Sequence, residues 1–297
     1  MVIAALAAIT IVSAAITVHT SASTGAGGTA EVGAVARRTG RVFAFNSALA
    51  GPGAPRGDVP GWRQVFFDDF NVDVPLGSFP SAVKSAWGAY PYPAKDTTKR
   101  GTYWPEKVVS INDGVLTKYL HVENGTPLVA ALTPKVPGTS KYGQLYGRYE
   151  VRFRADRAAP GYKIAWMLWP DSGTNTTGAV GGGGNGEIDY PEGELSDITK
   201  MWGFVHHQNA TVGSDQDWFR VAVDVLEWHT YTMEWSPGLV VFRLDGTEIG
   251  RTTERVPNTP MHWVLQSETS LKTTTPADAK VNLMIDWVAA WVYAPGT

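Results

Sequence analysis

The stretch Gly186-Glu187-Ile188-Asp189-Tyr190-Pro191-Glu192-Gly193 carries three carboxylates within six residues, with apolar or aromatic residues between them. Successive side chains of a β-strand alternate between its two faces, so Glu187 and Asp189 point the same way. Glu192 would point the opposite way in a regular strand. One extra residue, a β-bulge, returns Glu192 to the shared face, and Pro191 is acceptable at a bulge although poorly tolerated in a central strand. The spacing therefore predicts a bulged strand with three acids in one row.

A row of carboxylates suits the hydrolysis of glycosidic bonds. Retaining glycosidases use two carboxyl groups about 5–5.5 Å apart, one as nucleophile and the other as general acid/base. Crowded like charges resist simultaneous ionisation, which keeps a proton on one of them near neutral pH. A solvated acidic edge strand or a calcium loop is the alternative interpretation of the same six residues.

The acidic stretch resembles the active-site signature of glycoside hydrolase family 16, in its bulged form. The resemblance implies an all-β fold, a concanavalin-like β-jelly-roll sandwich of two antiparallel sheets, and retaining endo-hydrolysis of β-glucans or galactans. It also implies three catalytic roles, with Glu187 as nucleophile, Glu192 as proton donor and Asp189 as the residue that orients Glu187. The spacing alone does not rank the two glutamates. No cofactor is required for this chemistry.

The composition allows one large β domain and excludes several classes of function. The chain of 297 residues is 43% hydrophobic, which is ample for a core. Its net charge of −3 gives no basic footprint for nucleic acid. The absence of cysteine excludes disulfides, thiol catalysis and zinc–thiolate sites. The twelve tryptophans could stack on sugars, but for any single one a place in the core is the safer interpretation.

The first sixty residues are predicted to lie outside the catalytic domain. Residues 2–18 are an apolar or small run followed by His19-Thr20-Ser21-Ala22-Ser23, which is typical of a secretory signal peptide over residues 1–23. A membrane anchor is the competing interpretation, since the run lies at the short limit for a span. Residues 24–60 are rich in Gly, Ala and Pro without periodicity, which predicts a disordered linker. The catalytic domain is then residues 61–297.

From Trp62 onward the sequence predicts strands separated by turns. Asn112-Asp113-Gly114 and Asp245-Gly246 are strong hairpin signals. Between Leu145 and Ala155 apolar residues alternate with charged ones, with period two and no helical face. Arg152, on the charged face, either binds substrate on the floor of a cleft or is merely solvated.

Further stretches resemble the same family in the right order along the chain. They are residues 65–71, 147–152, 201–208, 228–237, 239–246 and 286–288. Together with the acidic stretch they extend the resemblance over roughly residues 62–294. A single six-residue motif would be weak, whereas this ordered set is specific.

The resemblance also indicates which side chains bind the substrate. Where the family usually shows W-P-A-x-W, this chain keeps Ala165 and Trp166, but Tyr162 and Lys163 stand in place of Trp-Pro. Trp166 is the main candidate for a sugar-stacking platform, and Trp104 is a further candidate for substrate binding.

Two polar residues complete the predicted binding site. His206 matches a histidine that the family places beside the acids, although an ordinary structural histidine is the alternative. His206 and His207 are adjacent and point to opposite faces of a strand, so they make a poor chelating pair. Gln266 is a candidate hydrogen-bond partner for a sugar hydroxyl.

A structural metal is implied by the resemblance alone. In relatives an aspartate of the closing strand helps to hold Ca²⁺, and Asp286 is the matching residue here. Asp68 or Asp69 would supply further oxygen ligands of the kind that Ca²⁺ prefers.

The sequence thus predicts a secreted, monomeric endo-glycosidase whose partner is a β-linked polysaccharide, most of all β-1,3- or β-1,3-1,4-glucan. A membrane would be a partner only through an uncleaved N-terminal segment. Three alternatives stay open: a galactan hydrolase of the agarose or carrageenan type, a transglycosylase, and a non-catalytic carbohydrate-binding protein. A polysaccharide lyase is a fourth, since Arg148, Arg152 and His206 could serve a uronic acid substrate.

Overall fold

The computed structural model describes residues 40–43, 54–173, 184–212 and 214–296. The predicted signal peptide, residues 1–23, lies outside the described residues, as does most of the predicted linker. Among the described residues, no helix is long and apolar enough to cross a membrane.

The described residues are almost entirely β-strands, which confirms the expected fold class. The strands are β1 (Gly40–Phe43), β2 (Trp62–Asp68), β3 (Trp87–Ala89), β4 (Thr102–Tyr103), β5 (Val109–Asn112), β6 (Val115–Glu123), β7 (Thr126–Val129), β8 (Ala131–Pro134), β9 (Gly147–Ala155), β10 (Tyr162–Pro170), β11 (Glu187–Glu194), β12 (Lys200–His206), β13 (Gln216–Ala222), β14 (His229–Ser236), β15 (Leu239–Leu244), β16 (Thr247–Thr252), β17 (Met261–Thr269) and β18 (Lys280–Tyr293). A 3-10 helix, Ser81–Val83, and a short α-helix, α1 (Pro105–Val108), lie in the connections.

Within the described ranges these strands form two sheets. The eight-strand sheet has the order β1-β13-β12-β11-β10-β17-β8-β3. The ten-strand sheet follows the path β16-β15-β14-β9-β18-β6-β7-β4, with β2 beside β18 and β5 beside β6. The pairs β1–β13 and β4–β7 are parallel, and the other pairs are antiparallel. The predicted jelly-roll sandwich is confirmed, with two parallel pairs that the sequence did not indicate.

Aromatic side chains from both sheets meet in the core. The rings of Phe153 on β9 and Trp166 on β10 lie 4.5 Å apart between centroids. Tyr190 on β11 contacts Tyr231 and Phe242 of the other sheet, at 5.4 Å and 5.1 Å. Aromatic pairs in tilted or edge arrangements add to the free energy gained by burying the rings. Because these side chains point inward, their neighbours along β10 and β11 lie on the outer face of the eight-strand sheet.

Both predicted hairpins are present. Asp113 and Gly114 connect β5 to β6 with φ of 51° and 77°, and Asp245 and Gly246 connect β15 to β16 with φ of 49° and 79°. Positive φ at both central residues defines the type I′ turn that matches the twist of the flanking strands.

The strand predicted from Leu145 to Ala155 begins two residues later, at Gly147. Tyr149, Val151, Phe153 and Ala155 are buried as expected, whereas Leu145 is 45% exposed. Tyr146 has a φ of 65°, which interrupts the extended backbone before β9.

The sandwich also contacts residues before the predicted domain boundary. The carbonyl of Gly57 accepts a 2.9 Å hydrogen bond from Nε1 of Trp291. Ala54 and Val59 pack against the same buried cluster on the ten-strand sheet. Strand β1 pairs with β13. These parts of residues 24–60 therefore belong to the folded structure, and the linker over the remaining residues stays a prediction.

Candidate active site

The acidic stretch forms β11, in the middle of the eight-strand sheet. Its pairing with β12 contains the predicted bulge. Asp189 lies opposite Phe204, and three residues later Glu192 lies opposite Trp202, only two residues away on β12. Phe204 and Trp202 share a face because they are two residues apart. The extra residue in β11 therefore turns Glu192 to the face of Asp189.

The acids lie on the outer face of the eight-strand sheet. Ile188 and Tyr190 point into the core, so Glu187 and Asp189 point away from it. Both acids are nevertheless enclosed, with 0% exposure for Glu187 and 1% for Asp189, whereas Glu192 is half-buried. Two carboxyl groups of the row are thus removed from water, and the third is open to it.

Enclosure changes the protonation of this row. Burial raises the pKa of Glu187 well above its ordinary value, and the neighbouring Asp189 raises it further. Burial likewise raises the pKa of Asp189, and the charge of Glu192 adds to the increase. Burial and mutual repulsion thus favour a proton on the pair Glu187 and Asp189, and an ionised Glu187 needs a positive charge nearby.

The structure brings the predicted His206 into this row. His206 lies opposite Glu187 in the register, and its Nε2 lies 3.4 Å from Oδ2 of Asp189. The three residues each offer an atom within 4.8 Å of the other two. A positive charge on His206 lowers the pKa of Glu187. His207 points elsewhere, with Nδ1 2.8 Å from Oδ1 of Asp215, so the two adjacent histidines do not converge.

Gln266 also lies on the acid-bearing face. On β17 it is opposite Ala165 of β10, which in turn is opposite Glu192. Two strand spacings, about 9.5 Å, therefore separate Gln266 from Glu192. Gln266 therefore shares the face of the acids, and its contact with a sugar hydroxyl stays a prediction.

Lys163 is a charged residue of the site whose role sequence reasoning did not identify. It lies on β10, opposite Glu194 of β11 and Glu268 of β17. Its Nζ is 3.5 Å from Oε1 of Glu192, and the residue is only 3% exposed. Burial alone would lower the pKa of Lys163, but the surrounding carboxylates, Glu192 first, raise it above its ordinary value. Lys163 is therefore a buried cation, and its occurrence in place of the family's proline was the available signal.

Aromatic side chains extend the outer face beyond the acids. On β12, Met201 and Val205 enter the core, so Trp202 and Phe204 lie outside with His206. The Trp202 ring stacks near Phe204, at 6.2 Å between centroids, and meets Trp218 of β13 edge-on at 5.2 Å. All three rings are half-buried, which leaves part of each ring free to contact a sugar. Sequence reasoning missed this surface because alternation alone does not say which face of β12 meets the core.

Tyr90 borders the acids from the segment that follows β3. Burial raises the pKa of Tyr90 to about 12, and the charges of Glu268 and Glu187 add to the increase. Its ring contacts Tyr103 edge-on at 5.3 Å. The phenol of Tyr90 therefore stays protonated over the ordinary pH range, and no sequence motif indicated this residue.

The structure corrects the expectation that Trp166 stacks on a sugar. Trp166 is fully buried between the sheets, where it packs on Phe153, and Nζ of Lys118 lies 5.7 Å from its ring centroid. Alternation along β10 puts Trp166 on the inner face and Lys163 and Ala165 on the outer face. Trp166 is therefore a core residue beneath the acids.

Arg152 is likewise distant from the face that carries the acids. Its neighbours Val151 and Phe153 enter the core, so Arg152 lies on the outer face of the ten-strand sheet. It forms an ion pair with Asp286, and its guanidinium lies 5.0 Å from the ring centroid of Trp228. This corrects the expectation that Arg152 binds substrate beside the acids.

The same ion pair bears on the implied calcium site. The carboxylate of Asp286 is occupied by the guanidinium of Arg152. Asp68 accepts hydrogen bonds from the N–H of Phe70 at 2.8 Å and from Nε1 of Trp87 at 2.7 Å. Because Ca²⁺ needs several free oxygen ligands, these residues do not fit a calcium site centred on Asp286.

Trp104 lines a cavity at the edge of the ten-strand sheet. Its ring lies 4.0 Å from that of Tyr92 between centroids, and Nζ of Lys107 lies 4.3 Å from the ring. The cavity has a volume of about 240 Å³, and Thr126 and Leu128 of β7 form its opposite wall. Contact between Trp104 and the substrate stays a prediction.

A β-sandwich that carries three acids in a row on one bulged strand defines a jelly-roll glycosidase. The profile of glycosyl hydrolases family 16 matches residues 97–289. The chain belongs to this family, and it is a glycoside hydrolase.

Several solved structures share the fold. The laminarinase from Rhodothermus marinus superposes with a TM-score of 0.64 at 20% identity, over 80% of this chain and 99% of that chain. A LamA variant from Z. galactanivorans, in complex with laminaritriose and laminaritetraose, gives 0.57 at 19% identity, over 77% and 98%. SCLam, a non-specific endo-β-1,3(4)-glucanase, gives 0.59 at 19% identity, over 82% and 97%. At these identities the likeness shows the fold alone. A search of curated proteins found no match.

Proposed function

We propose that the protein is a retaining endo-β-glucanase that hydrolyses β-1,3- or β-1,3-1,4-linked glucan. The observation that carries the proposal is the bulge in β11, because it turns Glu192 to the face of Glu187 and Asp189. Two carboxyl groups on one face, one as nucleophile and the other as general acid/base, are the requirement of the double-displacement mechanism.

In the first step, Glu187 attacks the anomeric carbon as the bond from this carbon to the glycosidic oxygen breaks. Glu192 gives its proton to the departing oxygen and becomes a carboxylate. In the second step, this carboxylate takes a proton from water, whose oxygen attacks the anomeric carbon and releases Glu187. The two inversions give net retention. Asp189 and His206 flank Glu187, and a positive charge on His206 favours the ionised nucleophile by lowering the pKa of Glu187.

The character of the outer face favours a neutral glucan. Trp202, Phe204 and Trp218 offer ring faces for stacking on hexose rings, and Gln266 offers an amide for a hydroxyl group. Carboxylates outnumber cations around the site, which would repel a uronic acid or a sulfated galactan.

The lyase alternative loses its main support. Arg148 and Arg152 were the residues expected to neutralise a uronic acid. Arg148 is paired with Glu150 and Glu234, and Arg152 is paired with Asp286, on the outer face of the ten-strand sheet. Neither arginine is therefore available to a substrate beside the acidic row.

The cellular setting of the proposal rests on the sequence. We propose that the protein is exported through residues 1–23 and acts outside the cell as a monomer, without a cofactor. Export would bring the enzyme to glucans too large to cross a membrane.

The proposal is tested by reducing-end release from laminarin, lichenan, agarose and carrageenan. We expect release from laminarin or lichenan, with the β-anomer formed first in proton NMR spectra. Glu187→Gln and Glu192→Gln should each lower turnover by several orders of magnitude, whereas Glu227→Gln, at an exposed position, should not. Binding without cleavage on every polysaccharide would identify a carbohydrate-binding protein, and the α-anomer first would exclude retention.

A further inference from the structure

Lys163 is the one residue in ion-pair contact with Glu192 among the residues that the structure describes. Nζ of Lys163 lies 3.5 Å from Oε1 of Glu192, and the lysine side chain is 4% exposed. A buried ammonium group is costly unless carboxylates compensate its charge. The surroundings of Lys163 therefore have to supply that compensation.

Glu268 supplies part of the negative charge that compensates the ammonium group of Lys163. It lies opposite Lys163 in the register and is 1% exposed. Its Oε1 accepts hydrogen bonds from the hydroxyl of Tyr103 at 2.6 Å and from Thr97, through Oγ1 at 2.8 Å and the N–H at 3.1 Å. Three hydrogen bonds to one oxygen hold this carboxylate in place.

Other charged groups also face this pair. They are Asp189 and Glu194 on β11, Glu187 at the start of the same strand, and His206 on β12, whose Nε2 lies 3.4 Å from Oδ2 of Asp189. Trp202, opposite Glu192 on β12, carries no charge. Lys163 is thus the cation nearest to Glu192, with Glu268 behind it.

We propose that Lys163 is a positioning residue for Glu192, held in place by Glu268. This inference rests on the proposed function, in which Glu192 is the general acid/base. When Glu192 gives its proton to the departing glycosidic oxygen, it becomes a carboxylate, and the ammonium of Lys163 stabilises this charge while keeping its own protons. Lys163 also holds Oε1 of Glu192 towards β10 before the proton moves.

The first test separates positioning of the acid from a general structural role. Lys163→Met keeps the aliphatic stem and removes the charge. A dinitrophenyl laminaribioside has a leaving group that departs without a proton, whereas laminarin needs one. We expect Lys163→Met to lower kcat/KM on laminarin by about 100-fold, a typical value for general acid catalysis, and on the aryl glycoside by less than about threefold.

Two further variants sharpen this test. Lys163→Arg keeps the positive charge and should recover much of the activity on laminarin. Glu268→Gln keeps an oxygen for the donors of Tyr103 and Thr97 but removes the charge behind Lys163, and should show the same selective loss. Because kcat/KM reports glycosylation alone, the later role of Glu192 as base does not enter. Equal losses on both substrates would show a merely structural role and overturn the proposal.

The pH profile provides another readout. Because Lys163→Met removes the cation that lies 3.5 Å from Oε1 of Glu192, the alkaline limb of kcat/KM on laminarin should move to higher pH. Lys163→Arg should keep the wild-type limb. An unmoved limb in Lys163→Met would contradict the proposal.

A double-mutant cycle tests the link without any substrate. Lys163→Met leaves the carboxylates around it uncompensated, and adding Glu192→Gln removes one of them. The melting temperature of the double variant should therefore fall by less than the sum of the single losses, whereas Lys163→Met and the exposed Glu227→Gln should be additive. Additivity of the first pair would overturn the proposal. If no glucan is cleaved but the cycle shows coupling, the proposed substrate fails while the link between Lys163 and Glu192 stands.

Discussion

His206 lies opposite Glu187 in the register of the sheet, and its Nε2 lies 3.4 Å from Oδ2 of Asp189. The imidazole therefore contacts the residue proposed to orient the nucleophile and faces the nucleophile itself. Burial raises the pKa of Glu187, and a positive charge on the imidazole lowers it.

This contact predicts the effect of His206→Asn on the pH profile. Without the charge of His206 the pKa of Glu187 rises, so a larger fraction of the nucleophile is protonated at low pH. The acidic limb of kcat/KM on laminarin should move to higher pH. His207→Asn is the matched control, since His207 faces Asp215 instead. An unchanged acidic limb in His206→Asn would show that the imidazole does not tune the nucleophile.

Trp202 and Trp166 predict opposite outcomes for the same substitution. Trp202 is half-buried on the outer face, so Trp202→Ala should raise KM for laminarin roughly tenfold, equivalent to about 1–2 kcal/mol, with little change in melting temperature. Trp166 is fully buried, so Trp166→Ala should lower the free energy of unfolding by about 3–5 kcal/mol. Steady-state kinetics and thermal unfolding measure both. A raised KM in a fully stable Trp166→Ala variant would return Trp166 to the binding site.

Lys118 predicts a pH-dependent stability. It is fully buried between the sheets, and its Nζ donates to the carbonyl of Leu265 at 2.8 Å and to Oγ of Ser267 at 2.6 Å. Burial lowers its pKa well below the ordinary value. Up to about pH 10.4, the unfolded chain therefore binds a proton on this lysine that the folded chain lacks. The free energy of unfolding then rises with pH, by at most about 1.4 kcal/mol per pH unit.

Thermal unfolding from about pH 7 to about pH 10 checks this sign, because the lysine of an unfolded chain titrates near the upper end of that range. The melting temperature of the wild type, relative to that of Lys118→Met, should increase with pH. Lys280→Met, at an exposed position, should stay parallel to the wild type. Parallel curves for Lys118→Met and the wild type would show that Lys118 is charged in the folded state.

Two truncations locate the start of the folded domain. A chain that begins at Ala54 keeps the contact of Gly57 with Trp291, whereas a chain that begins at Gly61 loses it. Because Nε1 of the buried Trp291 then lacks its partner, the shorter chain should lose about 1–3 kcal/mol of unfolding free energy. The two chains should have the same activity on laminarin, since the residues by which they differ, 54–60, contact the ten-strand sheet. Equal melting temperatures would return the boundary to residue 61.

Local patterns in the sequence predicted the features that depend on neighbouring residues. The alternation around Val151 gave the inner face of β9, and Asp113-Gly114 gave a hairpin through the positive φ that these residues accept. The spacing from Glu187 to Glu192, interrupted by Pro191, gave the bulge. Each of these follows from backbone geometry within a few residues.

The errors arose where one face of a strand had to be chosen over the other. Trp166 and Arg152 both lie on strands, yet each points away from the acids. Which face of a strand meets the core depends on the partner sheet, and this is not visible in a period of two. The contact of Lys163 with Glu192 was hidden for a related reason, because β10 and β11 are joined by a long connection that fixes the register only in three dimensions.

The bulge has a consequence for how this scaffold could diversify. It adds one residue to β11 without adding one to β12, so the two glutamates are attached to backbone on either side of a local irregularity. The gap between two such carboxyl groups decides whether a sugar ring or an additional water fits, and thereby the stereochemical outcome. A small change in the backbone at Tyr190 and Pro191 would change the distance between the two carboxyl groups, while the flanking strands kept their pairing. The stereochemistry of the reaction would then depend on the backbone at these two residues.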